Sequence, residues 1–99
     1  MISKKGPKEK LWLIRYAAYT HLIEIIARRP TPWTSILACI CTHYVTEIDQ
    51  IAADNGWTLS KFYNGTSYYT YTAVHRSGRT VTVRPAEYQH ICSSFLGYS

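Results

Sequence analysis

Near the start of the chain, apolar positions recur at helical spacing. Leu11, Ile14, Ala18, Leu22 and Ile25 form one stripe, and Trp12, Tyr16, Tyr19, Ile23 and Ile26 form a second beside it. The pattern predicts a helix from Pro7 or Lys8 to Arg28, stopped by Pro30. A stripe this wide means that the helix is covered on more than one side or lends an apolar face to a partner. Arg28 and Arg29 stand at its carboxyl end, where cations suit the helix dipole. Thr31 and Pro32 have the chemistry of an N-cap and a first helical position, and no breaker follows before Gly56. A second helix is therefore predicted to Asn55, with Gly56 ending it and Trp33, Leu37, Ile40, Tyr44, Ile48 and Ile51 on one face. The run "SILACICTHYV" competes as a strand, but "TEIDQIAADNG" after it favours helix.

After Gly56 the period becomes two. "WTLSKFY" and "SYYTYTAVHR" flank Asn64-Gly65, and "YTAVHR" and "RTVTVRP" flank Ser77-Gly78, giving two hairpins and three antiparallel strands. "AEYQHICSSFLG" closes the chain as a short helix. Two-residue loops would pair Leu59 with Thr70, Lys61 with Tyr68, Val74 with Val81 and Thr72 with Val83. The core face would then hold Trp57, Leu59, Tyr68, Thr70, Thr72, Val74, Val81 and Val83. Thr58, Ser60, Phe62, Tyr69, Tyr71, Ala73, His75, Thr80, Thr82 and Arg84 would lie on the other face. A one-residue slip exchanges the faces, so the assignment depends on loop length. The expected fold is α+β: residues 8–99 form a single α-α-β-β-β-α domain with a three-stranded antiparallel sheet, behind a flexible basic tail, residues 1–7.

An apolar share of 46% against 17% charged excludes a disordered chain. The net charge of +5 is unevenly spread: residues 1–30 carry +5, residues 31–56 carry −3 and residues 57–99 carry +3. A basic balance favours polyanions or acidic protein surfaces as partners. The apolar stretch "LWLIRYAAYTHLIEIIA" is broken by Arg15, His21 and Glu24, so no membrane span is expected. Three cysteines without framework spacing, and no signal-peptide pattern, point to a reducing cytoplasmic setting.

The segments "IDQIAADNGWTL", "NGTSYY" and "GRTVTVRP" give the region from about Val45 to Leu96 a resemblance to the HicA-type toxin family, which has a double-stranded-RNA-binding-like fold. In that family a helix ending in Asn-Gly-aromatic leads into a strand. A Gly-Ser-His turn and a strand of Val-x-Val-Pro character follow. The resemblance implies a ribonuclease, with its catalytic histidine near Tyr68, after Ser67. No histidine occupies "GTSYY", and a tyrosine is no base at neutral pH. On the resemblance this copy is catalytically silent, and its extension Lys8 to Arg29 is absent from the minimal family domain.

Between Lys61 and Pro85 the chain gathers tyrosines and basic residues with no acid among them. Phe62, Tyr69 and Tyr71 could stack on bases while Lys61, Arg76, Arg79 and Arg84 meet phosphates and His75 stands beside them. The plainer account is that tyrosine and threonine favour strands, or that the first helix covers this face. Cys39 and His43, with His90 and Cys92, have zinc-ligand chemistry, but the Cys39–Cys41 spacing splits a helix's faces, and buried free cysteine is ordinary core material. No nucleophile–base pair, cofactor motif or small-molecule substrate site stands out. The leading expectation is thus a non-enzymatic basic protein that contacts RNA or DNA through the aromatic and basic sheet face. The alternative is an inhibitor or adaptor of the kind phages encode, which binds a host protein, including a nucleic-acid enzyme, through Trp12, Tyr16 and Tyr19 or the same sheet face. A HicA-like ribonuclease is the third.

Overall fold

The computed structural model describes residues 6–28, 34–63, 65 and 68–96. The element order is α1 (Gly6–Arg28), α2 (Thr34–Asp54), β1 (Trp57–Tyr63), β2 (Tyr69–His75), β3 (Thr80–Val83) and α3 (Pro85–Leu96). The fold is the expected α+β arrangement, with a three-stranded antiparallel sheet in the order β1-β2-β3. α1 begins at Gly6, so Gly6 and Pro7 belong to the helix rather than to a tail; residues 1–5 lie outside the described residues. So do Thr31, Pro32 and Trp33, and with them the expected start of α2. That helix ends as its sequence requires: the Asn55 N–H reaches the Ile51 carbonyl at 3.1 Å, and Gly56 takes φ +83°, a conformation that side chains disfavour.

The sheet corrects the expected register. Residues 64–68 separate the paired Tyr63 and Tyr69, and residues 76–78 separate His75 from Arg79, whose carbonyl accepts the His75 N–H at 2.8 Å. Gly78 takes φ +101° in this second turn, which is one residue longer than expected. Both loops are odd in length where two residues were expected, so the middle strand turns over relative to its neighbours. Leu59 pairs with Ala73, Lys61 with Tyr71, Ala73 with Val81 and Tyr71 with Val83. Trp57, Leu59, Val81 and Val83 lie on the core side as expected, but their companions from β2 are Tyr71 and Ala73, not Thr70, Thr72 and Val74.

The helices cover that one face. Leu13, Ala17, Ala18, Leu22 and Ile26 of α1, Leu37 and Cys41 of α2, Tyr71, Ala73 and Val83 of the sheet, and Tyr88 and Cys92 of α3 form one buried cluster. α1 is its axis, enclosed by the sheet and both other helices. Its wide apolar stripe is used internally, and Leu11 is left exposed. α2 is rotated from expectation: Leu37, Cys41 and Ala52 face inward, while Ile40, Tyr44 and Ile51 do not. Cys41 belongs to the buried cluster around α1, and Ala52 is buried nearer the carboxyl end of the helix.

Pro85 does more than end β3. It opens α3 at the first helical position, where its missing N–H is not needed. Glu87 reaches back to accept the Arg84 N–H at 2.9 Å and also meets Lys10 at 2.8 Å, tying α3 to α1. The Tyr88 hydroxyl accepts the Tyr69 N–H at 3.0 Å and donates to the Tyr69 carbonyl, so one side chain satisfies both backbone groups of that residue. Among the described residues, no helix is long and apolar enough to cross a membrane.

Candidate functional site

The expected stacking platform does not assemble. Tyr71 is 1% exposed and packs edge-on against Tyr16 and Tyr88; Tyr69 lies on the same covered side, half-buried against Tyr71 and Tyr63. Burial holds the Tyr71 phenol well above its ordinary range, so it stays protonated. A base cannot stack on a ring as enclosed as that of Tyr71. Of the three expected aromatics only Phe62 points outward, at 55% exposure.

The basic residues are distributed rather than gathered. Lys61 donates to Glu24 at 2.7 Å and lies 4.5 Å from the Tyr69 ring centre. Arg79 stacks its guanidinium over Trp57 at 5.2 Å. Arg76 drapes across Gly56, whose carbonyl accepts the Arg76 N–H at 2.9 Å; a Cβ on Gly56 would come within 2.8 Å of the guanidinium nitrogen. His75 packs on Trp57, and its Nδ1 accepts the Ser77 N–H at 3.1 Å, so the imidazole secures its own turn. Arg84 stands exposed at the other end of β3, at the head of α3. Arg76 and Arg79 thus mark one end of the short strand β3, and Arg84 the other.

The expected partner face on α1 is half-buried against neighbouring rings. Trp12 packs on Trp57 with ring centres 5.6 Å apart, Tyr16 on Tyr71 at 6.0 Å, and Tyr19 stacks on Tyr44 at 5.3 Å. The four zinc-type residues do not converge. Cys39 is exposed on α2, and His43 faces Glu47 at 3.9 Å. His90 is exposed, whereas Cys92 is buried and donates to the Ala18 carbonyl. Burial pushes the Cys41 thiol up to about 11 and the Cys92 thiol up to about 12, so neither readily supplies a thiolate. Among the described residues no three His, Cys, Asp or Glu side chains could share a metal ion.

Two surfaces take the place of those expectations. The open face of the sheet carries Thr58, Ser60, Phe62, Thr70, Thr72, Val74, Thr80 and Thr82, in cross-strand rows such as Ser60–Thr72–Thr82. It is a hydroxyl face with one exposed ring. The outer side of α2 is more unusual. Ile36 is 69% exposed, Ile40 45%, Tyr44 43% and Ile51 58%. Their helical spacing puts them along one side, interleaved with His43 and Glu47. The sequence holds this signal in the excess of large apolar residues on α2; the expected buried face had Leu37 right but joined Ile40, Tyr44 and Ile51 to it where the structure buries Cys41 and Ala52.

Tyr68, the position to which the HicA-type resemblance assigns a histidine, does have an imidazole beside it: His21 stacks on its ring at 4.2 Å. That imidazole comes from α1, is 3% exposed and is kept neutral by burial, which lowers its pKa. No family model, curated protein or solved structure matches the chain.

Proposed function

We propose that the chain is a binding protein that engages a protein partner through the outer side of α2. The observation that carries this reading is the exposure of Ile36, Ile40, Tyr44 and Ile51 along one helix. Large apolar side chains gathered in the open on one side of a helix mark interaction sites in proteins. The charge of α2 specifies the partner's chemistry. The helix carries Glu47 and Asp54 on that side, with Asp49 turned toward Tyr16 of α1, and neither lysine nor arginine, although the chain as a whole is at +5. Screening confines charge effects to about 8 Å at physiological salt, so this local acidity governs the contact. The matching surface is an amphipathic helix with aliphatic residues on one side and lysines or arginines along its rim.

The test compares wild type with an Ile36→Lys/Ile40→Lys variant, using a synthetic leucine-lysine amphipathic helix as probe and nuclease-treated lysate as the source of natural partners. Wild type is expected to bind the probe in a salt-sensitive manner and to retain a protein that the variant loses, with unchanged thermal unfolding. Equal behaviour of the two proteins removes the reading.

A nucleic-acid role is the second reading, favoured by the exposed Phe62 on the hydroxyl face and by Arg76 and Arg84 at the two ends of β3. Fluorescence anisotropy with labelled RNA and DNA over a salt series tests it. Binding that weakens as salt rises and drops in Phe62→Ala supports this face. Binding indifferent to Phe62 leaves only general basic charge.

A further inference from the structure

The two edges of the sheet are not alike. β3 is four residues long and is followed at once by Arg84 and Pro85, with the Arg84 N–H taken by Glu87. A short edge closed by charge and proline resists further pairing. β1 is seven residues long, contains no proline and pairs with β2 without a bulge. Its one charge does not guard it, because Lys61 is folded onto Glu24 at 2.7 Å and lies 4.5 Å from the Tyr69 ring centre. Among the described residues no strand lies on its other side. A half-open cleft of about 240 Å³ separates this edge from α1, with Leu59, Ser60 and Lys61 on its wall, so the helix does not seal it. At the end of the strand Phe62 is 55% exposed and Tyr63 61%.

The backbone of β1 decides which groups this edge offers. The Gly56 carbonyl accepts the Arg76 N–H at 2.9 Å, in continuation of the Trp57–His75 register. Bonded positions alternate along an antiparallel strand, so Thr58, Ser60 and Phe62 turn their N–H and carbonyl groups to β2. Trp57, Leu59, Lys61 and Tyr63 turn theirs to the open edge, and these positions are symmetric about Ser60. We propose that two copies of the chain join antiparallel through β1 into one continuous sheet, with Ser60 on the two-fold axis. Trp57 then exchanges hydrogen bonds with the partner's Tyr63, and Leu59 with the partner's Lys61, so that every outward group of the strand is used. Charge favours a second copy as the occupant. Each chain carries +5, but Lys61 is neutralised by Glu24, and the seam brings no unpaired charge together. A shift that placed Lys61 on the axis would set the two ammonium groups face to face, which disfavours it. Full overlap also lays Phe62 beside the partner's Thr58 on the open face, and Tyr63 beside the partner's Trp57 on the covered one. At seven residues a side, against about 20–30 in a standard interface, the dimer belongs to the weak, concentration-dependent class. The seam is separate from the outer side of α2, and neither proposal depends on the other.

The experiment begins with sedimentation of the full chain from about 10 μM to about 1 mM, the range over which so small an interface dissociates. The weight-average mass is expected to rise toward twice that of one chain. Ser60→Lys is expected to hold the protein monomeric throughout with an unchanged Tm, because position 60 is exposed in one chain and meets a like charge only across the seam. Cross-linking reads the register. In a Cys39→Ser background, which removes the exposed native thiol, Ser60→Cys is expected to give a disulfide dimer about tenfold faster than Thr58→Cys, since residues opposed in a non-hydrogen-bonded pair stand about 4.5 Å apart at Cα. The proposal is overturned if the mass stays that of one chain, or if the two cysteine variants cross-link equally. It is overturned as well by a dimer that survives Ser60→Lys, or by one lost in Ile36→Lys/Ile40→Lys, which would place the interface on α2. A monomer whose β1 amides shift with an extended threonine-valine peptide would assign the edge to a foreign strand, and that too overturns it.

Discussion

On the covered side of the sheet, Trp57, Leu59, Tyr71, Ala73, Val81 and Val83 meet the helices; on the open side, Thr58, Ser60, Thr80 and Thr82 meet solvent. Both sides come from alternate residues of the same three strands, and both are rich in good strand formers. Composition therefore cannot say which tyrosines are core and which are surface. Loop parity decides it, and here it puts the aromatic residues to work inside. Trp12, Trp57, Tyr16, Tyr71, Tyr88, Tyr68 and His21 form ring contacts that run through the interior. The aromatic wealth of this chain is mainly packing material, whereas the outer side of α2 leaves Ile36, Ile40, Tyr44 and Ile51 exposed.

The sharpest way to break the comparison is to truncate one ring on each side. Tyr71→Ala is expected to cost about 3–5 kcal/mol in urea unfolding, as for a large aromatic removed from a core. Phe62→Ala on the open side is expected to cost about 0.5 kcal/mol or less. Equal losses would mean that the faces are wrongly assigned. A smaller effect tests the clamp on the middle strand. Tyr88→Phe keeps the ring but leaves the Tyr69 N–H and carbonyl without that hydroxyl, at a cost of about 1–3 kcal/mol. The smallest effect is on pH dependence. Burial lowers the His21 pKa below its ordinary 6.5; Arg28 and Lys61 push the same way and Glu24 opposes. The unfolded chain then takes up the proton more readily, so His21 contributes stability above pH 6.5 that is lost as pH falls below it. Urea midpoints between pH 7.5 and pH 5 are expected to decline in wild type and to flatten in His21→Gln.

Much of the fold was legible in the sequence. Periodicity marked all three helices and three strands, and Gly56, Gly78 and Pro85 marked their junctions. The inward sides of β1 and β3 were also readable, because Trp57, Leu59, Val81 and Val83 alternate with polar residues. The middle strand was not, because tyrosine and threonine alternate along it and either set can face a core. The buried side of α2 was hidden for a related reason. Hydrophobicity ranks isoleucine above cysteine and alanine, yet the structure buries Cys41 and Ala52 and leaves Ile40 and Ile51 exposed.

The position of α1 at the centre of the core has a consequence for biogenesis. The helix is surrounded by residues that lie far downstream, and the hydrogen bond from Cys92 to Ala18 spans 74 residues. At about 5–20 residues per second, translation takes several seconds to deliver them, whereas a helix forms in about a microsecond. During that interval α1 protrudes from the ribosome with its apolar stripes uncovered, open to capture by chaperones or to aggregation. The segment most protected in the finished protein is the one most exposed in the nascent chain.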